Sequence, residues 1–262
     1  MPQESAAPSK VGVICLNAGL LHRVGPFRMN VELANYLRER GIPTLRFDLS
    51  SIGDSGASKG DRDYTAQVVK DVSSAADLMR SRTDIEKFVL IGLCTGADNA
   101  HRAMVADDRF IAGIFLDGYA YPTFRYCLRR YLPVVINPIR FTKVILTFIK
   151  PFIHHLRRIE KPPDSADSMF TWELPEKNQT AREIRALIDR GATLLYIFSG
   201  GSWQSYNYPR QFIDSMPFLR NHEAQFSVIL NKSIDHTYSL YGDRLWLYDQ
   251  VSHFLKSFTT TP

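Results

Sequence analysis

Residues 88–96 read FVLIGLCTG. The first six residues of this stretch form an uninterrupted apolar run, which indicates a strand buried on both faces of a sheet. Residues 96–106 continue with a helical pattern. Gly92 and Gly96 lie two positions either side of Cys94, so the pattern G-x-C-x-G stands between a strand and a helix. This spacing predicts a tight turn that exposes the thiol at the edge of the sheet. Glycine is needed at both flanking positions, because larger side chains there would clash with neighbouring backbone.

Apolar runs and amphipathic segments alternate along the rest of the chain. Further strands are expected at 11–18, 43–48, 110–116, 193–198 and 225–230, and further helices at 27–40, 64–80 and 242–257. The alternation predicts the α/β class, with a mostly parallel central sheet flanked by helices. In such sheets reactive groups gather at the carboxyl ends of the strands.

The interval between the expected fourth and fifth strands is too long for one crossover. We assign residues 1–120 and 181–262 to the core and residues 121–180 to an inserted helical lid that is basic and rich in aromatic residues. Within it, residues 121–161 carry nine Lys or Arg and a single acid, for a net charge of +8 against +5 for the whole chain. The alternative is an amphipathic segment that lies on a membrane surface, which this composition also fits.

Composition narrows the functional class. The chain has 262 residues, a sequence pI near 9.1 and three cysteines without C-x-x-C spacing, which argues against a disulfide framework and a structural zinc site. We expect a cytoplasmic protein, because no signal peptide or apolar run long enough to span a bilayer is visible. Phosphate-binding G-x-x-x-x-G-K and zinc H-E-x-x-H motifs are absent from the sequence. We expect no metal, no cofactor and no nucleic-acid partner, and the sequence leaves the oligomeric state open.

These features together resemble the α/β-hydrolase superfamily. More narrowly, LNAGLLHRVGPFR (16–28), LRFDLSSIGDS (45–55) and GLCTGAD (92–98) are similar to the exosortase-system-associated, serine aminopeptidase-like hydrolases. The tight turn at residues 92–96 resembles the nucleophile elbow of this superfamily, and we call it the elbow. Its cysteine is also similar to that of dienelactone hydrolases and of cysteine-type thioesterase domains. The resemblance implies acyl chemistry at Cys94 with a histidine base and an acid that precedes the histidine in the chain.

Cys94 is the expected nucleophile and His236 the expected base. The N-terminus of the following helix favours a thiolate at Cys94. His236 is the only one of seven histidines that lies in a polar loop directly after the last expected strand, where the resemblance places the base. The alternatives are a structural cysteine packed between two glycines and a solvated loop histidine.

The acid is the open member of the triad. Most α/β-hydrolases supply it after the fifth strand, but residues 199–207 (SGGSWQSYN) contain no carboxylate. Asp117, at the end of the fourth strand, is the first candidate, since some lipases draw their acid from that position. Its alternative role is to cap backbone amides. Asp235 is the second candidate, but it would have to fold back onto its neighbour.

An acyl-transfer site also needs backbone donors for the oxyanion. We expect one donor at Thr95 and the other at Gly19 or Leu20. Possible substrate-binding residues are His22, Arg23, Arg28, Trp203 and Tyr121. The arginines of the first loop would suit a carboxylate or phosphate. Their alternative is solvation, or pairing with Asp48 or Asp54.

The sequence therefore predicts an enzyme with a Cys-His-Asp triad that transfers acyl groups from an ester or thioester. The basic, apolar segment suggests an acyl group carried by coenzyme A or an acidic acyl-carrier protein. Other readings remain open at this stage: a small ester or lactone hydrolase, a binding protein that keeps the fold after its triad has decayed, or a protein attached to membranes through residues 121–161.

Overall fold

Six strands form a single parallel sheet in the computed structural model, which describes residues 10–57, 63–136 and 174–259. The strands are β1 (Val11–Cys15), β2 (Thr44–Arg46), β3 (Lys87–Leu93), β4 (Phe110–Leu116), β5 (Thr193–Ser199) and β6 (Phe226–Asn231). Their order across the sheet is β2-β1-β3-β4-β5-β6, and every neighbouring pair is parallel. The predicted fold class is confirmed, and β3 is one of the two central strands of the sheet.

Helices cover both faces of the sheet. They are α1 (Met29–Arg38), α2 (Tyr64–Arg82), α3 (Thr95–Ala106), α4 (Phe124–Ile136), α5 (Lys177–Asp189), α6 (Gln211–Ser215) and α7 (Tyr241–Thr259). One hydrophobic cluster joins the sheet to α2, α3 and α5, and a second joins it to α1 and α7. In β1, β3, β4 and β5, which are buried on both faces, the strands are continuous apolar runs rather than alternating ones.

The predicted lid is described only at its two ends. Residues 137–173 lie outside the described part of the chain, so most of the insertion is not tested. Its first end contains α4. Its other end overlaps the start of α5, where Thr180 is fully buried and Ile184 and Leu187 pack in the core. The boundary at residue 180 stays a prediction. Among the described helices none is both long and apolar enough to cross a membrane.

Two glycines allow β1, β3 and α3 to meet at the end of β3. A Cβ atom built on Gly92 would lie 2.1 Å from the carbonyl oxygen of Gly96, and one built on Gly96 would lie 2.4 Å from the carbonyl oxygen of Asn17. Both contacts are with backbone, which cannot move aside as a flexible side chain can. The elbow therefore has no room for a side chain at either position.

We predict that Gly92→Ala lowers the free energy of unfolding by about 3 kcal/mol, the upper range for overpacking of a core. Urea denaturation monitored by circular dichroism measures the effect. Gly56→Ala is the matched control, because a Cβ atom there has no neighbour within 4 Å. Equal stability of the two variants would show that the elbow backbone can relax.

Candidate active site

The thiol of Cys94 lies at the carboxyl edge of the sheet, between β3 and α3. Its backbone has φ 56° and ψ −121°, an unusual conformation for a residue with a side chain. Its N–H donates to the carbonyl oxygen of Leu116 at 2.8 Å, which ties the elbow to the end of β4. The side chain is half-buried and forms no disulfide. The N–H groups of Thr95 and Gly96 follow directly and precede the first hydrogen bonds of α3, so they favour a negative charge at this point.

Asp117 and His236 lie together beside this thiol. Asp117 follows β4 with φ 48°, and its side chain is 1% exposed. Its Oδ2 atom is 2.7 Å from Nδ1 of His236. The carboxylate of Asp117, and after it the thiol of Cys94, bind the imidazole and raise the pKa of His236 from 6.5 to about 10. The ring is 42% exposed, so one side meets the buried carboxylate while another part reaches solvent.

The loop after β5 supports this pair even though it has no acid. Ser199 donates to both oxygens of Asp117, from its N–H to Oδ1 and from its hydroxyl to Oδ2, each at 2.6 Å. A Cβ atom on Gly201 would lie 2.6 Å from the backbone nitrogen of His236. Ser199 is not among the residues predicted from the sequence. The available signal was a hydroxyl residue at the end of a buried strand, followed by two glycines that allow close packing.

Asp235 has a different role. Its carboxylate accepts hydrogen bonds from the N–H and hydroxyl groups of Thr237 and Ser239, at 2.6 to 3.0 Å. Burial alone would raise the pKa of Asp235, but these hydrogen bonds from Ser239 and Thr237 outweigh it and hold the pKa well below its usual range. Asp235 therefore shapes the turn that carries His236, while Asp117 is the carboxylate that contacts the ring.

The loop after β1 reaches the elbow from the other side. Asn17 is buried and holds the base of this loop, since its amide donates to the carbonyl of Leu21 at 2.8 Å and to Asp48 at 3.0 Å. At the tip, the N–H of Gly19 donates to the hydroxyl of Thr95 at 2.6 Å. The three residues expected to form the oxyanion hole, Thr95, Gly19 and Leu20, are thus adjacent, and the donor role of their amides stays a prediction.

Neighbouring carboxylates engage the first two of the expected substrate-binding residues. Nη1 of Arg23 lies 2.5 Å from Asp48 and 2.9 Å from Asp54, and Nε2 of His22 lies 3.0 Å from Asp54. This is the pairing considered as the alternative to substrate binding. Arg28 is exposed, in a left-handed conformation just before α1.

The two aromatic candidates differ in exposure. Trp203 is 56% exposed near the His236 loop, with the guanidinium of Arg130 5.2 Å from its ring centroid. Tyr121 is 4% exposed, and its hydroxyl donates to Thr180 at 2.7 Å. The ring of Tyr121 packs in the core and its hydroxyl is already engaged, so a role in substrate binding stays a prediction that these contacts do not favour.

Comparison with known proteins supports the fold and does not identify an activity. No protein-family model and no curated protein sequence matches the chain. Among solved structures, it is similar to an esterase of Pyrococcus furiosus, Pf2001, with a TM-score of 0.59, 16% identity and coverage of 96% of this chain and 83% of that one.

Two further structures match at comparable levels. XC6422 from Xanthomonas campestris, described as an α/β serine hydrolase without a lid, gives a TM-score of 0.52 at 16% identity, with coverage of 100% of this chain and 88% of that one. The α/β hydrolase GrgF from Penicillium sp. sh18 gives 0.56 at 14%, with coverage of 97% and 92%. At such identities the likeness concerns architecture alone, and by that measure the chain has the α/β-hydrolase fold.

Proposed function

We propose that this protein is an acyl-transfer enzyme that uses Cys94 as its nucleophile toward an ester or thioester. The observation that carries the proposal is the 2.7 Å contact between Asp117 and His236 beside a thiol held at a strained elbow. A nucleophile, a base and a group that orients the base are the parts that covalent acyl transfer needs. Serine hydrolases and esterases have the same fold, which is consistent with such chemistry.

The raised pKa of His236 defines the resting state that we propose. We propose that the charged imidazole of His236, which Asp117 stabilises, faces Cys94, and that the sulfur reacts as a thiolate. The thiolate attacks the carbonyl carbon, and the carbonyl electrons move onto the oxygen as an oxyanion. When the oxyanion collapses, the bond to the leaving oxygen or sulfur breaks. His236 gives its Nε2 proton to that leaving group.

Release of the acyl group follows the same path in reverse. Neutral His236 takes a proton from water or an amine as this acceptor attacks the thioester carbonyl. The new bond to the acyl carbon forms, the bond to Sγ of Cys94 breaks, and the thiolate–imidazolium pair is restored. Whether water or an amine is the acceptor separates a hydrolase from a transferase, and a parallel assay of one thioester with and without added amine distinguishes them.

Formation of an acyl-enzyme is the direct test. Incubation with an activated acyl thioester should give one adduct by intact-mass spectrometry, mapped to Cys94, and Cys94→Ala should lose the adduct and about 10³-fold or more of the turnover. Cys127→Ala is the control and should keep both, since Cys127 is also half-buried and reduced. Burial raises the pKa of Cys15 to about 12, so this thiol should not react. Turnover by Cys94→Ala at the wild-type rate would refute the proposal.

The pairing of Asp117 with His236 predicts a change in titration. In Asp117→Asn the pKa of His236 should fall from about 10 toward 6.5, by about 1–3 units, as followed by NMR of the ring. A pKa raised by folding stabilises the protein fully below 6.5, and this stabilisation is lost as pH rises through 10. The wild type should therefore lose more stability than the variant between these pH values. Asp108→Asn, on a side chain that is 90% exposed, should leave the ring's titration unchanged.

The proposed carrier of the acyl group is coenzyme A or an acidic carrier protein. Helix α4 contains three arginines and no acid, and Arg125 and Arg129 are exposed. Arg130 lies over Trp203 and donates to the carbonyl of Gln204 at 2.9 Å, which brings positive charge to the loop that packs on His236. A phosphorylated carrier would meet this charge as its acyl group approaches the thiol.

Two thioesters that differ only in their carrier test whether α4 recognises the carrier. Replacing Arg125, Arg129 and Arg130 by Gln should lower the ratio of kcat/KM for an acyl-coenzyme A to kcat/KM for the matching acyl-N-acetylcysteamine, by about tenfold at low salt. The control replaces Arg80 and Arg82 by Gln, since both are exposed at the end of α2, at the opposite edge of the sheet. An equal fall in both variants, or none in the first, would mean that α4 does not recognise the carrier.

A further inference from the structure

One hydrogen bond joins the loop after β1 to the elbow. The N–H of Gly19 donates to Oγ1 of Thr95 at 2.6 Å, across 76 residues of sequence. Thr95 is the residue directly after Cys94 and the first residue of α3. Its hydroxyl therefore links the two segments that are expected to supply the oxyanion donors.

This bond indicates which of Gly19 and Leu20 has an N–H group available as the second oxyanion donor. Residues 18–21 form a turn that is closed by the N–H of Leu21 donating to the carbonyl of Ala18 at 3.0 Å. The N–H of Gly19 is used by Thr95, whereas the N–H of Leu20 has no acceptor in the parts of the chain that the structure describes. A donor that is already engaged cannot meet an oxyanion without breaking its bond, so Leu20 is the better placed of the two.

The tip of the turn has little else to hold it. Asn17 and Asp48 fix the base of the loop through hydrogen bonds at 2.8 to 3.0 Å. At the tip, Gly19 has φ 56° with no atom within 4 Å of a Cβ position, and the side chain of Leu20 is 63% exposed. The bond to the Thr95 hydroxyl holds the Ala18–Gly19 peptide, and Gly19 in turn sets the direction of the next peptide, which carries the N–H of Leu20.

We propose that Thr95 is a positioning residue, whose hydroxyl orients the N–H of Leu20. By accepting from Gly19, it turns the N–H of Leu20 toward the same point as the backbone N–H of Thr95, where the oxyanion forms. The inference rests on the proposed function and adds to it a role for a side chain, since the elbow chemistry itself needs only the backbone of this residue. Oxyanion stabilisation depends on donors that are oriented before the reaction.

The test compares acylation with alkylation of the same thiol. Attack on a thioester carbonyl forms an oxyanion, whereas attack on iodoacetamide displaces iodide from an sp³ carbon and forms none. Thr95→Val keeps the shape of the side chain and removes the acceptor. It should lower the rate of acylation of Cys94 by about tenfold, with little change in KM and none in the rate of alkylation.

Three companion measurements make the result specific. Thr95→Ser keeps a hydroxyl and should recover most of the acylation rate. Thr65→Val, on an exposed threonine in the first turn of α2, should match the wild type in both reactions. Thermal denaturation of Thr95→Val should give a midpoint close to that of the wild type.

Each outcome bears on one proposal. Unchanged acylation in Thr95→Val, or equal losses in acylation and alkylation, would overturn the positioning role. No acylation of Cys94 in the wild type, together with normal alkylation, would instead overturn the proposed function.

Discussion

The close approach of three backbone segments at the end of β3 is the constraint on which the rest of the site depends. Gly96 contacts the carbonyl of Asn17, and Gly92 contacts the carbonyl of Gly96, at distances where a Cβ atom would overlap an oxygen. This packing forces Cys94 into its positive-φ conformation and directs the start of α3 at the thiol. It also brings the loop after β1 within hydrogen-bond reach of Thr95. The geometry of the elbow and that of the neighbouring loop therefore have the same origin.

Electrostatics then determines how the other loops are built. A carboxylate as deeply buried as Asp117 is costly unless donors surround it. Ser199 supplies two of these donors and His236 supplies the third. Asp117 follows β4, and the glycines after β5 let that loop pack directly against the backbone of His236. Residues 199–207 contain no carboxylate, and Ser199 at their start donates to Asp117 instead.

Much of this could be predicted from the sequence, because the signals are local. Each of the six strands overlaps a segment predicted to be a strand, and the spacing of Gly92, Cys94 and Gly96 identifies the elbow. The position of His236 after the last strand follows from the order of elements. The strand-end position of Asp117 also follows, and the structure places it against the ring at 2.7 Å. Its catalytic role stays a prediction.

The remaining features depend on which way side chains point in three dimensions. Tyr121 follows β4 closely, as Asp117 does, but its ring turns into the core and its hydroxyl meets Thr180. A sequence pattern does not distinguish these two directions. Ser199 was missed for a related reason, since its function is to hold another residue. The predicted insertion overlaps the start of α5, because a charged, amphipathic segment has the same sequence pattern whether it borders an insertion or covers a sheet.

The geometry of this site and its proposed chemistry depend on different parts of the chain. The two glycines and the parallel sheet set the position of Cys94, and they would do so for a serine as well as for a cysteine. A thiol at this position gives up its proton far more readily than a hydroxyl would. The buried Asp117 favours the charged imidazole and raises the pKa of His236 to about 10. In the proposed mechanism this imidazole is the acid for the leaving group, and the partial exposure of its ring gives the acceptor a route to it once that group has left.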